Sequence, residues 1–202
     1  MNEPQLKPQL AMRRHHLENL PELALPEGYR IRGYRAGDEE AWNDIISSSF
    51  EPQYASMRFD TDMVPDPAFR PERVFFVERD DEPVGTASAW YVPVWGCDTG
   101  TVHMVAVKPA HQGRSLGQRV SLAAMYQMRA DGRKAAALRT DDFRLAAVTI
   151  YLRLGFEPLL VHENQRRRWP EVFAAIGRAE LADTFADILG GPVLDLTLDG
   201  FV

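Results

Sequence analysis

Residues 101–161 constrain the fold more than any other stretch. They read strand, helix, strand, helix, strand, in that order. Thr101 to Val107 (TVHMVAV) is β-branched and apolar. Leu116, Val120, Ala124 and Met128 then recur at helical spacing, and Gly132 stands where a helix-ending glycine belongs. Ala135 to Thr140 (AAALRT) predicts a short buried strand. A second helical pattern places Ala147, Ile150, Tyr151 and Leu154 on one side and stops at Gly155. Glu157 to Val161 predicts a further strand. Strands that alternate with helices in this way predict a mixed α/β architecture.

Upstream, Tyr29 to Arg35 predicts a first strand. The helix after it is entered through Asp38 as N-cap, with Ala41, Trp42, Ile45 and Ile46 forming its apolar face. Val74 to Arg79 and Val84 to Tyr91, joined by Asp80-Asp81, read as a hairpin. Between that helix and the hairpin, residues 51–72 hold four prolines, which predicts an irregular connection or one short helix. Residues 1–27 predict an arm with one short helix.

The strand-to-helix junction Val105-Ala106-Val107-Lys108-Pro109-Ala110-His111-Gln112-Gly113-Arg114-Ser115-Leu116-Gly117-Gln118 concentrates small residues where a helix begins. Backbone N–H groups in the first turn of a helix have no internal acceptor, and the helix dipole makes that end electropositive. Small residues let a phosphate approach them. The loop lacks the Gly-Lys-Ser/Thr of a nucleotide-binding P-loop and is not Gly-x-Gly-x-x-Gly. Taken alone, it is also what an ordinary turn looks like.

Composition narrows the partners. The 202-residue chain has a net charge of −6, which gives it no general attraction for nucleic acid. With 45% hydrophobic residues it can bury a core. One cysteine, Cys97, excludes a disulfide or a thiolate zinc site within the chain, and no metal is expected. The N-terminal residues lack the apolar run of a signal peptide, and no segment has the apolar length of a membrane span. The expectation is a cytoplasmic protein that does not engage membranes; a homodimer is compatible with such a chain.

The junction resembles the acyl-CoA-binding motif of the GNAT superfamily of N-acetyltransferases, Gln/Arg-x-x-Gly-x-Gly/Ala after a strand ending in Ala-Val. Gln112 and Gly117 match, and Ser115 stands at the middle glycine. Ala147, Tyr151, Gly155 and Phe156 fit the family's later Ala-x-x-x-Tyr-x-x-x-Gly-Phe, with Arg144 where an asparagine is usual. The resemblance covers roughly residues 28–165 and implies a mixed sheet splayed at two parallel strands, with helices on both faces. It also implies acetyl-CoA as acyl donor. Val105 N–H would polarise the thioester, and Val107 would hold the pantetheine. Gln112, Gly113, Arg114, Ser115, Leu116, Gly117 and Gln118 would cradle the pyrophosphate.

For catalysis the resemblance implies Tyr151 as general acid to the departing thiolate; its other reading is a core aromatic. His103, two residues before Val105 and so expected on the same strand face, is a candidate base or else a hydrogen-bonded strand histidine. Some family members carry His-x-His here, with Thr101 at the first place. A primary amine of a small molecule or peptide would be the acceptor, lined by Phe50, Tyr54, Phe59, Asp60 and Asp62, whose aromatic and acidic character suits a cation. Arg166-Arg167-Arg168 reads as a solvated helix start. It opens a helical extension over 166–202 that ends in PVLDLTL, which would add a strand or dock on a partner. The rival function is a non-catalytic acyl-CoA-binding or regulatory module on the same fold.

Overall fold

In a computed structural model, the described residues are 8–50 and 56–194. Contacts divide the chain into a unit of residues 15–136 and a unit of the flanking segments, up to Arg14 and from Ala137 onward.

In the 15–136 unit, β2 (Tyr29–Gly33), β3 (Val74–Arg79), β4 (Glu82–Trp90) and β5 (Thr99–Val107) form an antiparallel run in chain order. The β3–β4 hairpin turns through Asp80 (φ 50°) and Asp81 (φ 65°). Two consecutive left-handed residues make the tight turn whose twist matches paired strands. Helix α1 (Glu39–Ser49) presents Trp42, Ile45 and Ile46 at i, i+3, i+4 to a core completed by Phe59, Met63, Val74, Phe76, Trp90 and Ala106. Asp38 does occupy the N-cap position of α1, but its side chain makes no cap bond. Its carboxylate is taken instead by Arg32, at 2.8 Å, and by the Arg35 backbone N–H at 2.6 Å.

Helix α2 (Leu116–Ala130) buries the expected Leu116, Val120, Ala124 and Met128. It ends in a glycine cap: Gly132 has φ 81°, Arg133 N–H donates to Met128 O at 2.9 Å, and Gly132 N–H to Arg129 O at 3.0 Å.

In the other unit, the arm expected at the N-terminus is instead a strand, β1 (Leu10–Arg14). It lies between β6 (Ala135–Thr140, which starts at the boundary) and β7 (Glu157–Leu159), and pairs antiparallel with β7. Leu10, Ala11 and Met12 are fully buried, and Gln165 Nε2 donates to Gln9 O at 2.7 Å. Prolines on both sides hid a short strand whose partners lie some 145 residues away. Helix α3 (Leu145–Arg153) buries Val148 and Tyr151, with Leu154 following, so its inner stripe is centred one residue later than the sequence pattern placed it.

Helices α4 (Gln165–Ala175), α5 (Leu181–Thr184) and α6 (Ala186–Gly190) follow. Arg168 is not solvated as expected: it is 4% exposed, with Nη2 2.7 Å from Asp142 and Nη1 donating to Pro8 O at 2.7 Å. Residues 195–198 of the PVLDLTL stretch lie outside the described residues.

Candidate active site

The β5–α2 junction leaves the first backbone donors of α2 without helical acceptors, beside an exposed loop. Strand β5 ends at Val107, and Lys108 N–H donates to Val84 O at 2.8 Å. A short 3-10 turn, Pro109–His111, follows. Gln112 Nε2 reaches back to Val107 O at 3.1 Å, and Arg114 Nη1 donates to Ala110 O at 3.0 Å, so the loop is tied to itself and to the strand end. Residues 112–115 are exposed, while Leu116 (2% exposed) anchors the first turn of α2.

The first helical bond here runs from Arg119 N–H to Ser115 O at 3.2 Å. The N–H groups of Leu116, Gly117 and Gln118 therefore precede any i−4 acceptor. The first turn carries no acidic side chain. Ser115 adopts φ 57°, ψ 21°, a left-handed conformation. This explains why glycine is usual at that place: serine there bears a steric cost of about 1 kcal/mol.

Around the loop, Lys108 pairs with Asp44 of α1 at 2.7 Å and Glu82 of β4 at 3.0 Å. His111 Nδ1 and the Tyr29 hydroxyl share a hydrogen bond of 3.0 Å. Burial, then the nearby Arg114 and Arg79, lower the His111 pKa and favour its neutral ring.

Strand β5 is not regular. Ser88 pairs with His103 and Thr86 with Ala106, so two residues of β4 span three of β5. Met104 has φ 51°. This is a β-bulge, in which one extra residue leaves the ladder and its backbone groups go unpaired. The bulge corrects the expectation that His103 and Val105 share a face. Alternation fails between them, and register groups His103 with Thr101 and Ala106 instead. His103 is half-buried and lies against Trp90, with ring centroids 5.0 Å apart. Nothing in the sequence marks the bulge, since methionine has no preference for positive φ.

Tyr151 belongs to the other unit, at the end of α3. Gly155 has φ 77°, Phe156 N–H donates to Tyr151 O at 2.9 Å, and Gly155 N–H to Leu152 O at 3.0 Å. The Tyr-x-x-x-Gly-Phe spacing is thus a helix cap in which the third residue before the C-cap Leu154 and the second after it touch. Tyr151 and Phe156 meet edge to face, 5.9 Å between centroids. Arg14, not anticipated, donates from Nη1 to Leu154 O, and a Cβ at Gly155 would overlap that nitrogen. Tyr151 is 6% exposed, and burial pushes its phenol up to about 12, against a smaller opposing effect of Arg144.

The expected acceptor residues fare differently. Phe59 is 1% exposed: it stacks on Tyr34 at 5.3 Å and meets Trp42 and Phe69 edge-on, each at 5.6 Å. It is core and offers no surface. Asp62 accepts from Arg58 N–H at 2.7 Å and the Thr61 hydroxyl at 2.8 Å, and so holds the one-turn helix Phe59–Met63. Asp60 is exposed beside it, and Phe50 is half-buried against the same core. Tyr54 lies outside the described residues. Among the described residues, no group of three His, Cys, Asp or Glu is placed to hold a metal, and no helix is long and apolar enough to cross a membrane.

Comparison with known proteins gives a concordant picture. Residues 39–156 match the model of the acetyltransferase (GNAT) family. A mycothiol acetyltransferase of Thermobispora bispora is 33% identical over 77% of this chain and 56% of its own. That of Streptomyces coelicolor is 32% identical over 72% of this chain and 47% of its own. The chain thus spans about half the length of these curated relatives. Among solved structures, a GCN5-related N-acetyltransferase from Kribbella flavida superposes with a TM-score of 0.56 at 24% identity, covering 76% of this chain and 55% of that one. The fold is the mixed α/β fold of that group, and the chain belongs to the GNAT acetyltransferase family.

Proposed function

We propose that this chain transfers an acetyl group from acetyl-CoA to a primary amine by direct attack. The observation that carries the reading is one continuous stretch of the 15–136 unit. A bulge in β5 takes residues 104–105 out of register with β4, and about ten residues later come the first N–H groups of α2, which have no helical acceptor. A thioester oxygen needs a donor of the first kind and a pyrophosphate needs donors of the second. The site residues are the junction itself, with Val105 and Val107 toward the thioester and pantetheine and Gln112 to Gln118 around the pyrophosphate.

In the reaction the amine nitrogen attacks the thioester carbonyl and its proton passes to His103. The Val105 N–H stabilises the oxyanion. The C–S bond then breaks, and Tyr151 protonates the thiolate. A phenol held near 12 is fully protonated at neutral pH, as a donor must be. Asp60 and Phe50 supply the acceptor side with charge and apolar surface. The relatives' name makes the acceptor of mycothiol acetyltransferases the first amine to test, followed by polyamines, amino acids and peptides. Release of CoA thiol that depends on an added amine supports the enzyme. Tight CoA binding with no thiol release across the panel supports a binding module instead.

A further inference from the structure

Strand β7 is the outermost strand of its sheet, with β1 on its inner side. An open edge of this kind invites another strand. Pro158, in the middle of β7, is tolerated at an edge because a proline has no N–H to give to a neighbour. One contact with that edge is already made: Leu194 N–H donates to Leu160 O at 2.9 Å. The carbonyl of Leu160 therefore points away from β1. Backbone groups on one edge recur every second residue, so Pro158 turns its carbonyl to the same outer side.

The route of the chain sets the direction from there. Phe185, where α6 begins, lines a cavity together with Glu157. Leu189 O, near the end of α6, accepts from Arg166 in the first turn of α4, just beyond Leu160. Helix α6 thus runs from the Glu157 end of β7 to the Leu160 end. A segment that continues along β7 from Leu194 runs back toward Glu157, antiparallel to it.

The sequence fits that register. Residues 194–199 read LDLTLD and alternate strictly. With Leu194 opposite Leu160, Leu194 (42% exposed) opens a row with Leu196 and Leu198 on the face of Pro158 and Leu160, which are buried. Asp195, Thr197 and Asp199 fall on the face of Glu157 and Leu159, which are half-buried. A slip by one residue would turn the aspartates to the buried face. Four residues of strand, about 14 Å, bring the chain from Leu160 to Phe156. There lies the cavity, about 410 Å3, lined by Leu152, Phe156, Ile176, Leu181 and Phe185. Arg153 at its rim has no ion pair among the described residues. Gly200 and Phe201 come next in the sequence.

We propose that residues 195–199 of this chain add an antiparallel strand to the outer edge of β7, with Phe201 filling the cavity and Asp199 facing Arg153. The segment covers an edge that a second chain could otherwise pair with, and it closes an apolar cavity with an apolar ring. Nothing in this docking depends on acetyl transfer.

Hydrogen exchange on the whole chain tests the register. The Leu196 amide, aimed at Pro158 O, should be protected at least about a hundredfold, while the Asp195 and Thr197 amides exchange freely. An unprotected Leu196, or protection at Asp195 and Thr197 instead, would overturn the proposal. Leu196→Asp should lower the melting temperature by about 5 °C, and Thr197→Asp by no more than about 1 °C. Equal shifts would also overturn it. Arg153→Glu should weaken protection of Leu196, and adding Asp199→Lys should restore it. Light scattering at the concentrations used decides whose segment is bound. Protection held in a monomer supports the proposal, and protection lost on dilution of a dimer assigns the edge to a second copy and refutes it.

Discussion

The cap that ends α3 allows a quantitative test, because the same motif ends α4 in the same unit with different surroundings. Gly155 and Gly177 have φ of 77° and 72°. Each sits one residue past the helix C-cap, Leu154 or Ile176, and Arg178 N–H donates to Phe173 O at 2.8 Å as Phe156 N–H donates to Tyr151 O. An alanine at either place bears the left-handed penalty, about 1 kcal/mol. At Gly177 nothing lies within 4 Å of the new Cβ, so that penalty is the whole effect. At Gly155 the Cβ meets Arg14 Nη1, which must swing away from Leu154 O. A bond from a charged donor contributes about 1.5–3 kcal/mol, and the lower end applies to a half-buried arginine. Gly155→Ala should therefore cost about 2.5 kcal/mol against about 1 for Gly177→Ala, or about 8 °C against 3 °C in melting temperature. Thermal and urea unfolding measure both. In an Arg14→Met background the cost of Gly155→Ala should fall back to about 1 kcal/mol. Equal costs at the two glycines, or no coupling to Arg14, would refute the reasoning.

Tyr151→Phe keeps the ring against Phe156 and should leave folding near neutral pH unchanged, while kcat falls about ten- to a thousandfold; a large loss of melting temperature at normal kcat would make Tyr151 a core residue only. The same phenol links stability to alkaline pH. Its folded pKa of about 12 stands above the unfolded value of 10, so the native state binds the extra proton between them. That contribution, about 3 kcal/mol, is fully present below pH 10 and lost as pH rises to 12, and titration of unfolding should show a steeper alkaline slope in the parent than in Tyr151→Phe, where Tyr34, also raised by its bond to Glu39, still contributes. Ser115→Gly relieves a left-handed serine and should raise stability by about 1 kcal/mol in denaturant unfolding without weakening CoA binding by calorimetry. Asp60→Asn should raise the KM for a cationic amine and not that for acetyl-CoA; an equal effect on both removes Asp60 from the acceptor side.

Much of this was legible in the sequence, for reasons that differ by element. The strand–helix–strand–helix–strand order and the inner faces of α1 and α2 follow from periodicity, which local packing enforces. The glycines at 132 and 155 follow from the left-handed conformation that only they adopt without cost. What stayed hidden depends on partners distant in the chain. β1 is short and pairs with a strand far downstream. Arg168 looks like one of three surface arginines until Asp142 and Pro8 O surround it. Phe59 reads as a loop aromatic, yet it sits at the centre of a ring cluster assembled from α1 and three other segments. The bulge at Met104 is hidden for a different reason: its residue types are those of a regular strand, and only the register with β4 displaces one of them.

The account stands most directly on the claim that the β5–α2 junction receives the CoA moiety. Backbone amide chemical shifts of the whole chain, followed during titration with CoA, test it residue by residue. The account predicts the largest changes at Gly113 to Gln118, with a second group at Met104 and Val105, and loss of both in Gly117→Glu, whose carboxylate repels the pyrophosphate. Saturable binding whose shifts cluster elsewhere, with residues 113–118 unmoved, would contradict it.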